Sequence, residues 1–186
     1  MNRLYIPGFV NKHIEVMNKT SLDDVYKAVK LIKKATNEGH RIYTIGNGGS
    51  ALIASHLATD LLHNANADAR CLSDNIGTVT AIGNDNGFEQ IFSRQLGIVE
   101  KYSTTDALLV AFSCSGTSVN VLKAVEKAYD FALDIVLITG VCLNNDLADV
   151  HIKIPSANVF VIEGVFSVLS HSIISYLRKN DYDTPS

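Results

Sequence analysis

Two ionisable side chains of this sequence, His56 and Asp60, have the spacing and the chemistry of a shared site. They are four positions apart in a helical pattern over residues 52–62, so both face the same side of the predicted helix. This spacing suits either a shared metal ion or an acid/base pair. The alternative is a solvated polar face, which is common for such a pair. The helix directly follows a glycine-rich turn, and that position favours the functional interpretation.

A second pair of ionisable residues, Glu163 and His171, interrupts the largely apolar stretch 159–174. The alternative for His171 is a core histidine with a hydrogen-bonded ring, while Glu163 needs a partner because burying a bare carboxylate is costly. A regular helix would place the two residues about 12 Å apart along its axis. Binding of one ion by both would require an irregular first turn at Glu163 or ligands from different subunits. The remaining histidines lie in surface-like contexts and receive no role: His13, His40, His63 and His151.

The turn before the first pair is the sequence Gly-Asn-Gly-Gly-Ser at residues 46–50. An apolar, β-branched segment precedes it, and the helical pattern follows it. A strand that turns through glycines into a helix directs backbone N–H groups and the positive helix end to one spot. The turn is therefore a candidate anion site, although most turns of this kind bind nothing.

The same arrangement recurs around Ser-Cys-Ser-Gly-Thr-Ser at residues 113–118. A predicted buried strand precedes this hydroxyl-rich turn, and a predicted helix over 119–129 follows it. Two such loops indicate a phosphorylated small molecule as the ligand. Cys114 lies where a helix N-terminus could lower its pKa. No base is near it in the sequence, so we predict that Cys114 contributes only its backbone N–H.

Short apolar segments that alternate with helical patterns position these loops. The alternation predicts an α/β fold with a parallel sheet covered on both faces, in which ligands bind outside the carboxyl ends of the strands. The predicted strands are 41–45, 69–72, 107–112, 134–139 and 150–154. Further helical segments are predicted at about 10–17, 22–39, 78–82, 87–98 and 160–177. We expect one domain over residues 1–186, with N-terminal helices at about 8–38, a sheet core at about 41–178 and a short frayed tail.

Composition limits the classes of function. The chain has 186 residues, of which 47% are apolar, enough for one substantial core. A net charge of −3 provides no positive field for nucleic acid. We find no signal-peptide pattern and no apolar run that approaches a membrane span. The odd number of cysteines, three, argues against a disulfide scaffold and for a reducing cytoplasm.

Several motifs, in order, resemble one known family. After the glycine turn and the His-x-x-x-Asp pair come Thr-Ala-Ile-Gly-Asn-Asp at 80–85 and Phe-Ser-Arg-Gln at 92–95. Ser-x-Ser-Gly-x-Ser then precedes Asn-Val-Leu-Lys-Ala at 120–124, and the last helix carries Glu163 and His171. From about residue 20 onward, the sequence resembles the sugar isomerase (SIS) domain and, within it, the phosphoheptose isomerases.

The resemblance implies a fold, an assembly and a reaction. It implies a single SIS domain with a flavodoxin-like, five-stranded parallel sheet flanked by helices on both faces. It also implies a homotetramer with active sites at subunit interfaces. The family converts sedoheptulose 7-phosphate to D-glycero-D-manno-heptose 7-phosphate through an enediol, for bacterial lipopolysaccharide or capsule.

The resemblance also assigns roles to individual residues. It implies an acid/base pair of Asp60 and His171, without indicating which acts first. It implies one zinc ion per subunit, held by groups matching His56, Asp60, Glu163 and His171. The implied substrate contacts are Asn47, Gly48, Gly49, Ser50, Asp60, Asn84, Asp85, Ser113, Cys114, Ser115, Ser118 and Glu163.

Four departures from the family pattern leave the exact substrate open. Asp60 replaces the usual Glu, Glu163 replaces Gln, Asn64 replaces a basic residue, and Phe160-Val161 replaces an Asp-Arg pair. An isomerase of a different phosphosugar is therefore one alternative. A non-catalytic SIS protein that binds a replication initiator is another. Such proteins typically lose the late-helix histidine, whereas this sequence keeps His171.

Overall fold

Five parallel strands form the centre of the structure, a computed structural model that describes residues 4–101, 106–142 and 144–178. The strands are β1 (Arg41–Ile45), β2 (Ala69–Cys71), β3 (Ala107–Ser113), β4 (Asp134–Thr139) and β5 (Val150–Lys153). The helices are α1 (Tyr5–Lys19), α2 (Leu22–Glu38), α3 (Gly49–Ala65), α4 (Ile76–Asn86), α5 (Ser93–Lys101), α6 (Val119–Asp130) and α7 (Val159–Arg178), with a 3₁₀ turn at Phe88–Gln90.

The strand order is β2-β1-β3-β4-β5, and every neighbouring pair is parallel. This is the flavodoxin-like order, so the expected fold class is confirmed. From β1 the chain moves outward to β2 and then crosses back to β3 on the other side. The order therefore reverses between β1 and β3, and a crevice opens between their carboxyl ends, where ligands of open α/β sheets bind.

Apolar side chains cover both faces of the sheet. On β3, Leu108, Val110 and Phe112 belong to the core on one face, which includes residues of α1, α2, α3 and α7. Leu109 and Ala111 belong to the core on the other face, which includes residues of α4 and α6. Burial on both faces explains why the strands are almost continuously apolar in sequence.

Most element boundaries agree with the sequence prediction. The predicted strands 41–45 and 134–139 match β1 and β4, and the other three differ by one residue at their ends. Ser21 caps α2 by accepting a hydrogen bond from the Asp24 amide, and Gly39 ends that helix with a φ of 71°. The helix predicted at 87–98 was wrong as one element, because a 3₁₀ turn and a separate helix, α5, occupy that region. The predicted frayed tail falls on 179–186, outside the described residues.

Helix α7 spans 20 residues and extends one residue beyond each end of the helix predicted at about 160–177. By length and composition it is the one helix of the described residues that could cross a membrane. Eight of its residues are buried in this fold, against α3 and the sheet. Its apolar composition is therefore explained by its place in the core.

Candidate active site

The glycine turn joins β1 to α3 at the crevice. A Cβ atom on Gly46 would lie 2.5 Å from the Ser50 carbonyl oxygen, so no side chain fits there. Gly48 has a φ of 55°, a backbone conformation that favours glycine. As the N-cap of α3 it offers no side-chain hydrogen bond to the first turn. The positive end of α3 therefore faces the crevice without a side-chain cap.

The serine loop joins β3 to α6 on the other side of the crevice. The Ser113 hydroxyl accepts a hydrogen bond from the Gly116 amide at 3.1 Å and donates one to Ser118 Oγ at 3.2 Å. Ser115 Oγ accepts from the Thr117 amide, also at 3.1 Å. Ser118 is the N-cap of α6 but makes no side-chain capping bond. The loop thus arranges several hydroxyl groups around a second uncapped helix N-terminus.

A pair of amide side chains connects the two loops. Asn47 Nδ2 donates to Asn120 Oδ1 and Asn120 Nδ2 donates to Asn47 Oδ1, each at 2.8 Å. Asn120 Oδ1 also accepts from the Val121 amide, and the residue is only 3% exposed. Sequence reasoning assigned Asn120 no role, although an amide on the buried, otherwise apolar face of a helix was a usable signal.

His56, Asp60 and His171 form a cluster where α3 packs on α7. The Nε2 atoms of the two histidines are 2.9 Å apart, and His56 Nε2 is 3.4 Å from Asp60 Oδ2. One donor atom from each of the three side chains lies within 4.8 Å of the others. The structure therefore brings together three of the four side chains that the family resemblance implies as metal ligands.

The Asp60 side chain is only 17% exposed, whereas His56 is 55% exposed. Asn64 Nδ2 donates a hydrogen bond to Asp60 Oδ1 at 3.0 Å. The two carboxylate oxygens thus have different partners, with Oδ2 on the side of His56. Asn64 is one of the four departures from the family pattern, and the structure gives it a direct contact with the cluster.

Glu163 lies apart from the two histidines and Asp60. It belongs to α7, which is helical from Val159 onward, so the irregular first turn considered above is not present. Its carboxylate lies against Gly49, where a Cβ atom would collide with it. Its Oε1 is 3.8 Å from Cys114 Sγ. Glu163 therefore lies between the glycine turn and the serine loop, with its carboxylate at the N-terminal end of α3.

Burial raises the pKa of the Cys114 thiol, the neighbouring Glu163 carboxylate raises it further, and the Ser50 hydroxyl opposes the change. The helix N-terminus does not produce a thiolate at this position. This agrees with the sequence reading, in which Cys114 is no nucleophile.

Asn84 and Asp85 are exposed near the end of α4, where Asn84 Nδ2 donates to Asp85 Oδ1 at 2.8 Å. Phe160 and Val161 stand where the family pattern has an Asp-Arg pair. Phe160 is 70% exposed and Val161 is buried.

The histidines without an assigned role differ from one another. His63 is exposed, as expected. The predicted surface context was wrong for His13, His40 and His151, which are all partly buried. His151 Nε2 lies 2.9 Å from Thr139 Oγ1. Burial lowers the pKa of His151, so the ring is neutral near pH 7. His13 packs edge-on against Phe9, and His40 lies 3.5 Å from the Glu38 carboxylate.

Comparison with known proteins adds independent information. Residues 8–140 match the SIS domain family. The phosphoheptose isomerase of Rhodospirillum rubrum is 34% identical over 79% of this chain and 80% of the relative. That of Helicobacter pylori is 33% identical over 90% of this chain and 91% of the relative. The fold matches phosphoheptose isomerase from Neisseria gonorrhoeae with a TM-score of 0.85 at 24% identity, over 97% of this chain and 100% of that one.

Proposed function

We infer that this chain, which belongs to the SIS domain family and within it to the phosphoheptose isomerases, is a phosphosugar isomerase. Its reaction is the conversion of sedoheptulose 7-phosphate to D-glycero-D-manno-heptose 7-phosphate, for bacterial surface heptose. One observation carries the proposal: His56 and Asp60, which form a cluster with His171 of α7, lie on the helix that begins at the candidate anion-binding turn. This arrangement supports chemistry at one end of a substrate whose other end is a phosphate.

The spacing along α3 supports the match to a sugar phosphate. His56 is seven residues beyond Gly49, which is about 10 Å along the helix axis. A sugar phosphate of several carbons has a comparable length. The N-termini of α3 and α6, where the N-cap residues make no side-chain capping bond, and the serine hydroxyls would hold the phosphate. Binding energy at the phosphate would then position the reacting carbons at the cluster.

The reaction moves a proton between the first two carbons of the sugar. A base removes a proton from C1 of the ketose while an acid protonates the oxygen on C2, and the product is a 1,2-enediol. Removal of the proton from the C1 oxygen and protonation of C2 then give the aldose. We assign these transfers to Asp60 and His171, whose positions on facing helices allow approach from two sides. The order in which they act stays open.

The cluster fits a divalent metal ion by its donor set. Two imidazole nitrogens and one carboxylate are the ligands of many catalytic zinc sites, which keep one position open for substrate. His56, Asp60 and His171 would hold the ion, one per subunit, and zinc would polarise the substrate oxygens. A contribution from Glu163 would come from a neighbouring subunit. Asp60 and His171 are assigned both an acid/base role and a metal-ligand role. Metal analysis of the purified protein distinguishes the two roles.

A homotetramer is part of the proposal. Large apolar side chains are exposed on several helices, among them Tyr5 on α1, Leu52 on α3 and Phe160 on α7. Contacts between subunits would cover exposed apolar side chains such as these. Assembly would also allow Asn84 and Asp85 of one subunit to approach the crevice of another. The three cysteines are free, which fits a reducing cytoplasm.

The test is incubation of the purified protein with sedoheptulose 7-phosphate, with the product identified by NMR. We expect the heptose phosphate to form, and its formation to stop in Asp60→Asn. Binding of the phosphosugar without turnover would instead identify a non-catalytic SIS protein. Turnover of a different phosphosugar alone would keep the isomerase and reject the heptose substrate.

A further inference from the structure

Asp60 and Asn64 form a short polar pair on α3, in which a carboxylate and an amide are separated by one helical turn. Asn64 Nδ2 donates a hydrogen bond to Asp60 Oδ1 at 3.0 Å. Both residues are partly buried. Residues four apart on a helix are close enough for short side chains to meet, and an amide–carboxylate bond of this kind is favourable.

The hydrogen bond determines how the carboxylate is oriented. The terminal torsion of an aspartate is broad, so the plane of a free carboxylate rotates readily. A donor bound to Oδ1 restricts this rotation and leaves Oδ2 on the side of His56, at 3.4 Å from its Nε2. An amide achieves this without adding a positive charge beside the two histidines.

We propose that Asn64 is a positioning residue, which orients Asp60 toward His56 and His171. This inference rests on the proposed function, because Asp60 is the side chain through which Asn64 acts. It also explains two departures from the family pattern together. The shorter carboxylate at Asp60 stays near the helix surface, within reach of the short amide at Asn64.

The test compares three substitutions of Asn64 with a control on the same helix. Asn64→Leu keeps the approximate shape and removes the donor, Asn64→Asp replaces the donor with an acceptor, and Asn64→Gln keeps a donor on a longer chain. We expect kcat to fall about 10- to 100-fold in the first two, the usual effect of losing a partner that orients a functional ligand. KM should change much less, and Asn64→Gln should recover part of kcat. Thr59→Ala removes an exposed hydroxyl bonded to the Ser55 carbonyl and should leave kcat unchanged.

A second readout does not depend on turnover. Titration with Co²⁺, followed by its visible absorption, should show weaker binding in Asn64→Leu than in Thr59→Ala or the unmodified protein. Thermal unfolding should show that Asn64→Leu and Asn64→Asp remain folded.

The outcomes separate the two proposals. Suppose that the protein is an active isomerase and that Asp60→Asn loses activity. If Asn64→Leu and Asn64→Asp then keep both kcat and Co²⁺ affinity, the positioning role is overturned and the proposed function stands. A protein without isomerase activity would overturn the proposed function. In that case, weaker Co²⁺ binding in Asn64→Leu would still support the orientation of Asp60, and unchanged Co²⁺ binding would overturn it as well.

Discussion

Asn47 and Asn120 bind each other through two hydrogen bonds of 2.8 Å, although they are 73 positions apart in the chain. Asn47 belongs to the turn after β1, and Asn120 lies in the first turn of α6, after β3. The pair therefore holds the glycine turn and the serine loop, the two candidate anion sites, in one relative position, across the point where the strand order reverses.

The amide pair predicts an energetic coupling between the loops. Asn120→Ala should lower the free energy of unfolding by about 1–3 kcal/mol, because a buried amide and its partners lose their bonds. It should also weaken phosphosugar binding, since the loops would no longer be held together. A double-mutant cycle with Asn47→Ala measures the coupling, which we expect to be at least about 0.5 kcal/mol. Strict additivity of the two substitutions would mean that the pair does not couple the loops.

The cluster predicts that both proposed proton-transfer residues are essential. Asp60→Asn and His171→Ala should each lower kcat at least about 100-fold, the usual effect of losing a general acid or base. His63→Ala provides a matched control, since this exposed histidine lies on the same helix as His56. Steady-state kinetics with sedoheptulose 7-phosphate decide the question. Near-normal activity of either variant would remove that residue from the chemistry.

The serine loop predicts where the phosphate binds. Ser113→Ala and Ser118→Ala should each weaken phosphosugar binding by about 1–3 kcal/mol, because each removes a hydroxyl that can bond to a charged oxygen. Calorimetry with the sugar phosphate, and with inorganic phosphate as a smaller probe, measures the loss. Thr36→Ala, which removes a hydroxyl bonded to the backbone of α2, is the control. Unchanged affinity in the double serine variant would place the phosphate elsewhere.

The donor set predicts a metal ion. We expect zinc to co-purify at about one ion per subunit and chelation to reduce activity. His56→Ala should lower metal content strongly, whereas Glu163→Ala should lower it less, because Glu163 lies by the loops. Elemental analysis of the purified variants measures this. Full activity in chelator, with no metal found, would leave the cluster with acid/base chemistry alone.

The preferred substrate is a separate prediction, because several positions depart from the family pattern. Asn64, Phe160 and Val161 stand where the family carries charged residues, but the two loops keep the expected arrangement. We therefore expect sedoheptulose 7-phosphate to have the highest kcat/KM among ketose phosphates of five to seven carbons. A tenfold preference for a pentose or hexose phosphate would reject the heptose assignment and leave the isomerase.

The sequence alone determined the strands and the two loops that are candidate anion sites, because these depend on local features. Apolar runs predict buried strands, and Gly46 and Gly48 stand where the backbone of the turn leaves no room for a Cβ or adopts a positive φ. His56 and Asp60 could be paired in advance, since four residues on a helix place both on one face.

The family resemblance implied that His171 and Glu163 both join His56 and Asp60, but only the tertiary structure decided which of these distant side chains meet. His171 reaches His56 across 115 positions because α7 packs on α3, and no local pattern encodes that contact. The same packing places Glu163 two turns earlier on α7, against Gly49 and Cys114 instead of the histidines. A helix of fixed rise separates residues eight positions apart by about 12 Å. Helix α7 can therefore contribute one side chain to the loops and another to the cluster, but no single side chain on it reaches both.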